Sequence, residues 1–187
     1  MAQYEVMLAG FGGQGIMTAG QLLAYAGIRE GKQVAWIPSY GPEMRGGTAY
    51  CTVVISDRRI GSPIVTNPAA ICVFNRPSFD KFSSKVKRNG LFIINSSLID
   101  VTSDRTDMTQ LLIPANDIAM KAGNVKAANM AVLGAFIGGS EIVEYETMKH
   151  TTQEKLGQKK GILEINLAAL KEGYELALKA LREKEKV

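Results

Sequence analysis

The N-terminal segment contains two short apolar runs separated by a stretch with helical spacing, an order that is compatible with only a few folds. Residues 4–9 (YEVMLA) form a short apolar run, and residues 14–30 repeat apolar side chains at helical spacing up to Gly31. A second apolar run, QVAWIP at 33–38, follows directly. This order predicts a β-α-β unit whose two strands pair in parallel through a right-handed crossover.

The rest of the chain continues this alternation. We expect further strands at TAYCTVVIS (48–56), SPIV (62–65), AAICVFN (69–75), GLFIIN (90–95) and LLIPAND (111–117). We expect helices at 76–90, on both sides of Gly123-Asn124, and from about 161 to 184. The sequence therefore predicts a single α/β domain over residues 1–187, a three-layer Rossmann-like domain with a mostly parallel sheet and antiparallel strands around 49–66.

Three of these helices have recognisable apolar faces. In the helix at 76–90, Phe79, Phe82 and Val86 share one face. The helix after Gly123-Asn124 is apolar nearly all round, which predicts that it is buried. The expected apolar face of the last helix consists of Ile162, Ile165, Leu167, Leu170, Tyr174, Leu178 and Leu181.

The segment between the first strand and the first helix, LAGFGGQGI, contains Gly10, Gly12 and Gly15 in the spacing G-x-G-x-x-G. Gly10 allows a tight turn, Gly12 leaves room for a ligand near the backbone, and Gly15 lets helix and strand pack closely. The N–H groups that begin the helix, at residues 13–16, attract anions. The spacing predicts an anion or phosphate site at this strand end, but the same glycines also suit a compact turn that holds no ligand.

A nicotinamide or flavin dinucleotide site needs a further feature that this sequence lacks. An Asp or Glu at the carboxyl end of the second strand accepts the ribose hydroxyls in such sites. Here that end consists of Pro38, Ser39, Tyr40 and Gly41, and Glu43 lies further along the loop. A stand-alone NAD(P)- or FAD-binding oxidoreductase is therefore the alternative interpretation and not the preferred one.

A second glycine-rich loop, SYGPEMRGG, follows the second predicted strand at residues 39–47. Its notable residues are Gly41, Glu43, Arg45, Gly46 and Gly47. Because both loops follow parallel strands, we expect them side by side at one edge of the sheet. The first loop would supply N–H groups, and Arg45 a guanidinium suited to a carboxylate or phosphate. A surface ion pair between Glu43 and Arg45 is the alternative.

The chain offers few residues for metal or nucleophilic chemistry. Its two cysteines, Cys51 and Cys72, lie in apolar runs, and no C-x-x-C occurs, so an iron–sulfur cluster or structural zinc must lie on another chain. His150, the only histidine, lies in the polar run TMKHTTQEK, and we expect it at the surface. We predict no catalytic residue and no metal ligand in this chain.

Charge and hydropathy argue against two further classes of partner. The net charge of +4 comes largely from segments such as KVKR and LREKEKV, which are typical of a solvated face and not of nucleic-acid binding. No apolar run approaches the roughly 20 residues that span a bilayer, and the amino terminus lacks the pattern of a signal peptide. We expect a cytoplasmic protein that neither binds nucleic acid nor inserts into membranes.

Three segments, GFGGQGI, SYGPEMRGGT and NVKAANMAVLGAFIG, together resemble the gamma subunit of 2-oxoacid:ferredoxin oxidoreductases. The resemblance covers most of the chain. It implies a complex with alpha, beta and ferredoxin-like delta subunits, in which thiamine diphosphate, Mg²⁺ and iron–sulfur clusters belong to partner subunits and this chain alone binds no cofactor. Such a complex converts a 2-oxoacid to its acyl-CoA and passes electrons to ferredoxin or flavodoxin. GFGGQG and SYGPEMRGGT are more similar to 2-oxoglutarate enzymes than to pyruvate or ketoisovalerate enzymes, so we expect 2-oxoglutarate.

The resemblance also gives the two loops a role. It implies that they form walls or docking contacts near a shared active site, that they help to bind coenzyme A or to close the subunits, and that the isolated chain is inert. The candidate ligand or interface residues are Gly10, Gly12, Gly13, Gln14, Gly15, Ser39, Tyr40, Gly41, Glu43, Arg45, Gly46 and Gly47. A nucleotide-sensing or scaffold module without chemistry is a third interpretation.

Overall fold

The computed structural model describes residues 3–39, 48–157 and 160–184, in which strands and helices alternate. The strands are β1 (Tyr4–Phe11), β2 (Gln33–Ser39), β3 (Thr48–Ser56), β4 (Ala70–Val73), β5 (Leu91–Asn95) and β6 (Thr109–Ile113). The helices are α1 (Ile16–Arg29), α2 (Arg76–Phe82), α3 (Ala115–Ala122), α4 (Ala128–Ser140), α5 (Tyr145–Leu156) and α6 (Lys160–Lys184). In these ranges no helix is long and apolar enough to cross a membrane.

The described strands form one sheet in the order β2-β3-β1-β4-β5-β6. β1, β4, β5 and β6 pair in parallel, whereas β3 pairs antiparallel with both β1 and β2. Helices cover both faces of this sheet. The α/β class, the mostly parallel sheet and the antiparallel strand starting near residue 49 are therefore confirmed.

The predicted parallel pairing of β1 with β2 is wrong. The two strands run in the same direction, but β3 lies between them and bonds to both. Two features of the sequence explain this order. Val53 and Val54 face opposite sides of β3 and are both fully buried, which suits an interior strand. Pro38 of β2 lacks an N–H and suits an edge strand, where one side of the backbone needs no partner.

The predicted short strand SPIV is also absent. Residues 62–65 are irregular, and the side chain of Ile64 is 85% exposed. Pro63 cannot donate to a ladder, and most side chains of this segment lie outside the core. The run is apolar in composition, but it packs against neither face of the sheet.

Successive residues of the central strands face two separate cores. In β1, Val6 and Leu8 face a large core built with α1, α3, α4, α5 and α6, whereas Met7 and Ala9 face a smaller core built with α2. This alternation places the single helix α2 on one side and a thick helical layer on the other. The sheet and its two coverings form the three layers predicted from the sequence.

Helix α2 is shorter than predicted but buries the predicted face. It ends at Phe82 and continues as a 3₁₀ turn at Ser83–Lys85. Phe79, Phe82 and Val86 all lie in the smaller core. Asn75 caps the helix, because its side-chain oxygen accepts a hydrogen bond of 2.9 Å from the N–H of Ser78.

Helix α4 is buried on all sides, as its composition predicts, between the sheet and α6. The backbones of the two helices touch: a Cβ at Gly134 would overlap the carbonyl of Leu170, and one at Gly173 would overlap the carbonyl of Ala131. The buried face of α6 therefore uses small residues, Ala169, Gly173 and Ala177, together with Leu170. The expected face was only partly right, since Ile162 is 45% exposed.

Candidate functional site

The glycine loop at residues 10–15 lies at the edge of the sheet where β1, β4, β5 and β6 end, which we call the carboxyl edge. Ligands of open α/β sheets bind at this edge. Gly13 has φ of +89° and Gly15 has φ of +75°, so both adopt the left-handed conformation that favours glycine. A Cβ at Gly10 would lie 2.6 Å from Oε1 of Gln14 and 2.9 Å from Cβ of Phe74. The structure therefore explains why glycine occupies each of these positions: Gly10 lacks room for a Cβ, and Gly13 and Gly15 need a positive φ.

Gln14 holds the loop against the sheet. Its Oε1 accepts hydrogen bonds from the N–H of Phe11 at 2.7 Å and from Nδ2 of Asn75 at 3.0 Å. Its Nε2 lies 3.5 Å from the carbonyl of Phe74. The side chain thus ties the end of β1 to the end of β4, and its amide is largely used in fixing the loop.

A chain of asparagine side chains continues this network along the carboxyl edge. Asn95, the last residue of β5, is 1% exposed and donates to the carbonyl of Phe74 at 3.2 Å and to Oδ1 of Asn116 at 2.8 Å. Its own Oδ1 accepts from the N–H of Ala115 at 3.1 Å, the start of α3. Sequence reasoning missed these asparagines. The sequence could have indicated them, because they lie at or shortly after the ends of apolar runs that form buried strands.

Helix α1 presents an open amino terminus to this edge. Gly15 is its N-cap residue, no side chain caps the first turn, and the first turn holds no acidic residue. The carbonyl of Gly15 accepts a hydrogen bond of 3.1 Å from Nδ2 of Asn129, near the start of α4. The first N–H groups of α1 therefore retain a partial positive charge, and no described side chain caps them.

Two adjoining cavities open beside the loop. One, of about 280 Å³, lies between Gly15, Thr18, Asn129 and Asn166, and the other, of about 180 Å³, lies between Gln14, Asn95 and Asn116. Both are lined by Gly13 and Lys126. In the described part of the chain, no Asp or Glu lines either cavity. Their walls are apolar groups, amides and one ammonium.

The charged and polar groups of these cavities suit an anion. Lys126 is exposed and forms no ion pair with a described residue, so its ammonium adds to the positive end of α1. Asn166 of α6 is about nine-tenths buried, lines the larger cavity and has no hydrogen-bond partner among the described residues. Its amide is therefore free to bond to a ligand that enters the cavity. Neither Lys126 nor Asn166 was singled out from the sequence.

The second predicted loop is described only at its two ends. Tyr40, Gly41, Glu43, Arg45, Gly46 and Gly47 lie outside the described residues. Ser39 pairs with Tyr50 at the end of β2, and Thr48 pairs with Phe11 at the end of β1. Ser39 and Thr48, the described residues that flank positions 40–47, thus both lie at the carboxyl edge. Whether Arg45 faces the glycine loop stays a prediction.

The sheet order also bears on the dinucleotide alternative. In a dinucleotide-binding fold the strand beside β1 runs parallel to it and ends in the acidic residue. Here β3 occupies one side of β1 in the antiparallel direction, and β4 on the other side leads into Phe74 and Asn75. Among the described residues, no carboxylate is placed to bind a ribose near the glycine loop, so the alternative is not supported.

Neither cysteine lines the two cavities of the carboxyl edge. Cys51 and Cys72 flank Leu8 on the two neighbouring strands and are fully buried. Burial raises the pKa of Cys51 to about 12 and also raises the pKa of Cys72. Both are thiols and not thiolates. Across the described ranges, no three His, Cys, Asp or Glu side chains converge on a possible metal position, and His150 is exposed on α5.

Comparison with known proteins identifies close relatives of this fold and sequence. A family model described as pyruvate ferredoxin/flavodoxin oxidoreductase matches residues 5–176. Ketoisovalerate oxidoreductase subunit VorA of Methanothermobacter marburgensis is 38% identical over 180 residues, which cover 96% of this chain and 37% of VorA. The 2-oxoglutarate synthase subunit KorC of Methanocaldococcus jannaschii is 35% identical over 176 residues, which cover 92% of this chain and 93% of KorC. This chain therefore spans little more than a third of VorA but nearly all of KorC.

Two solved structures share the fold. The gamma subunit of a keto/oxoacid ferredoxin oxidoreductase from Geobacter sulfurreducens has a TM-score of 0.83 and 29% identity, covering 94% of this chain and 99% of that one. A 2-oxoglutarate:ferredoxin oxidoreductase from Magnetococcus marinus, with 2-oxoglutarate, coenzyme A and succinyl-CoA bound, has a TM-score of 0.86 and 27% identity, covering 96% of this chain and 32% of that one. The relatives differ in their 2-oxoacid, so the comparisons do not favour 2-oxoglutarate as the motifs did.

Proposed function

Because this chain belongs to the pyruvate ferredoxin/flavodoxin oxidoreductase family, we propose that it is a gamma-type subunit that completes the coenzyme A site of a 2-oxoacid:ferredoxin oxidoreductase. The paired cavities at the carboxyl edge carry this proposal. They combine the open amino terminus of α1 with the ammonium of Lys126 and the unpartnered amide of Asn166, and they contain no described carboxylate. The phosphate groups of coenzyme A match this charge.

We assign the chemical steps to companion subunits. Thiamine diphosphate with Mg²⁺ requires a set of oxygen ligands, and iron–sulfur clusters require several thiolates. The described residues converge on no such set, and both cysteines are buried thiols within the core. In this proposal, companion alpha, beta and delta subunits hold these groups, decarboxylate the 2-oxoacid and reduce ferredoxin or flavodoxin. This chain holds the acyl acceptor and is inert alone.

The sequence motifs and the relatives point to different 2-oxoacids. GFGGQG and SYGPEMRGGT support 2-oxoglutarate as the substrate, and the 38% identity to VorA supports ketoisovalerate as the second candidate. Steady-state assays of the reconstituted complex with both acids and with pyruvate decide between them. We expect the highest kcat/KM for 2-oxoglutarate, and a higher value for ketoisovalerate or pyruvate would contradict this assignment.

Calorimetric titration of the isolated chain tests the coenzyme A site. We expect coenzyme A to bind, and Lys126→Ala to weaken it about tenfold, the value of one charge-assisted hydrogen bond. Lys179→Ala, which removes an exposed lysine of α6 outside both cavities, is the matched control and should leave the affinity unchanged. ADP and dephospho-coenzyme A, titrated in parallel, identify which phosphates are bound.

Three results would contradict the proposed function or its site. Tight binding of NAD, NADP or FAD to the isolated chain would restore the dinucleotide alternative. Turnover of a 2-oxoacid by the isolated chain, free of thiamine and metal, would place the chemistry here and not on companion subunits. Coenzyme A binding that is insensitive to Lys126→Ala would move the site elsewhere on the chain.

A further inference from the structure

The opposite edge of the sheet carries an exposed surface that the proposed function does not use. At this amino edge β3 ends and β1, β4 and β5 begin. Arg58 and Arg59 follow β3, Ile64 lies between β3 and β4, and Lys87 and Arg88 precede β5. We call these five residues the basic edge surface. It lies a full strand length away from the glycine loop.

Ile64 is the apolar feature of this surface. Its side chain is 85% exposed, more than that of any other large hydrophobic residue in the described ranges. The hydroxyl of Ser62 accepts a hydrogen bond of 3.3 Å from the N–H of Ile64, which fixes the local turn. Covering this side chain with another protein would remove apolar surface from water, which lowers the free energy of the complex. The loop is therefore shaped as an apolar projection.

The cations of the basic edge surface have little compensation. Arg58, Arg59 and Lys87 are exposed and form no ion pair with a described residue. Arg88 lies 3.8 Å from Asp107, but that carboxylate already accepts two hydrogen bonds of 2.9 Å from Arg105, and the Arg88 side chain is 87% exposed. Asp57 precedes Arg58 in the sequence, and its single negative charge can neutralise at most one of these four positive charges.

A cavity deepens this surface between β4 and β5. It measures about 300 Å³ and is lined by Lys87 and Arg88 together with Tyr4 and Ser140. The N–H of Lys87 donates to the carbonyl of Pro68 at 3.0 Å, so the basic turn is anchored to the segment that carries Ile64. The cavity and the basic turn thus lie at the same edge of the sheet as the segment that carries Ile64.

We propose that the basic edge surface is the docking site for an acidic companion subunit of the same complex. Charge complementarity selects that partner: four exposed cations and one exposed isoleucine at the same edge of the sheet fit a surface that presents carboxylates together with apolar side chains. The inference rests on the proposed function only in requiring that this chain works beside companion subunits. Because the surface lies at the amino edge, docking there leaves the cavities of the carboxyl edge open to coenzyme A.

The test measures the affinity of the companion subunits for the full chain by biolayer interferometry, at low and at high NaCl. Two variants perturb the surface: Ile64→Asn and the double variant Arg58→Glu/Arg59→Glu. Two matched controls make the same kinds of change elsewhere: Ile28→Asn, at an isoleucine 57% exposed on α1, and Lys179→Glu/Arg182→Glu on α6. Coenzyme A titration of every variant reports the carboxyl edge separately.

We expect each surface variant to weaken docking at least about tenfold, the size of effect that loss of one anchor residue produces. Wild-type docking should weaken as salt rises, and the charge reversal should remove most of that dependence. Both controls should stay within about twofold of the wild-type affinity, the scatter of near-neutral interface positions. Coenzyme A affinity should be unchanged in all four variants, which separates a failure of this inference from a failure of the proposed function.

Four results would overturn the inference. Docking affinities of both surface variants that equal those of the controls would remove the surface from the interface. A dimer of the isolated chain that Ile64→Asn abolishes in sedimentation would assign the surface to a second copy. Binding of a fluorescent oligonucleotide that Arg58→Glu/Arg59→Glu abolishes would assign it to nucleic acid. A wild-type chain that docks to no companion subunit would overturn this inference and the proposed function together.

Discussion

Replacing Gly15 by alanine tests whether the start of α1 and the start of α4 are packed as tightly as the structure shows. Gly15 has φ of +75°, and an alanine in that conformation costs about 1 kcal/mol. The added Cβ would also lie 2.6 Å from Nδ2 and 2.9 Å from Cγ of Asn129. Relieving such overpacking costs about 2 kcal/mol. We therefore expect Gly15→Ala to lower the free energy of unfolding by about 3 kcal/mol, the sum of these two costs.

Gly31 provides the matched control. Its φ is +74°, almost the same as that of Gly15, but a Cβ there would meet nothing within 4 Å. It ends α1, where the N–H of Gly31 bonds to the carbonyl of Ile28 and the N–H of Lys32 to that of Gly27. Gly31→Ala should therefore cost only the conformational part, about 1 kcal/mol. The difference of about 2 kcal/mol between the two variants isolates the contact with Asn129.

Urea unfolding followed by circular dichroism, with linear extrapolation, measures these differences. The double variant Gly15→Ala/Asn129→Ala removes the obstructing amide, so its cost should be about 2 kcal/mol less than the sum of the two single costs. Equal costs for Gly15→Ala and Gly31→Ala would refute the reasoning. Additive costs for Gly15→Ala and Asn129→Ala would refute it as well, because they would mean that the amide moves aside without penalty.

Three further predictions concern buried and charged groups. Asn95→Ala should cost about 3 kcal/mol in the same urea assay, because it removes three buried hydrogen bonds and leaves their partners unsatisfied. The hydrogen bonds from Arg105 lower the pKa of Asp107 in the folded state, so the stability that this carboxylate contributes is present above its unfolded pKa and is lost as pH falls through the folded one. Asp107→Asn should therefore be less stable than wild type near neutral pH, and the difference should vanish in acid unfolding curves measured below that pKa. Cys51 and Cys72 should not react with a disulfide reagent in the native protein, because burial raises both thiol pKa values, and both should react in guanidinium; rapid native labelling would contradict the buried core.

Local pattern predicted most elements of this fold because each depends on nearby residues. The helical spacing after Gly15 and the apolar runs at β4 and β5 can be read within short windows, and α4 was expected to be buried from its composition alone. SPIV shows the limit of this reasoning, since its apolar residues indicate a strand, but Pro63 and the exposure of Ile64 do not support one. Composition alone cannot show whether a neighbouring element is available to cover a run.

The order of strands could not be read in the same way, because it depends on which strand competes best for an interior position. Pro38 was the signal that β2 belongs at an edge, and the double-faced burial of Val53 and Val54 explains why β3 displaced it from β1. A β-α-β pattern in the sequence does not show that a later strand, here β3, will insert between the first two.

The candidate site was predicted in part. The glycine loop follows from a contiguous motif, whereas the contact of Asn129 with Gly15 joins residues 114 positions apart. Lys126 and Asn166 come to the cavities from the turn before α4 and from α6, so no single window of sequence contains the site. Lys126 lies in NVKAANMAVLGAFIG, one of the segments that carry the family resemblance, whereas Asn166 lies in a segment typical of an ordinary helix. Only the tertiary packing of α4 and α6 brings them to the loop.

The backbone contact between α4 and α6 has a mechanical consequence. With no side chains between Gly134 and Leu170, the two helices cannot slide past one another and form a stiff rod about 20 Å long, the length of α4. One end of the rod holds the carbonyl of Gly15 through Asn129, and the other packs Gly139 against Leu91, beside the basic turn of the amino edge. The rod therefore fixes the distance between the start of α1 and the start of β5, two points on opposite edges of the sheet.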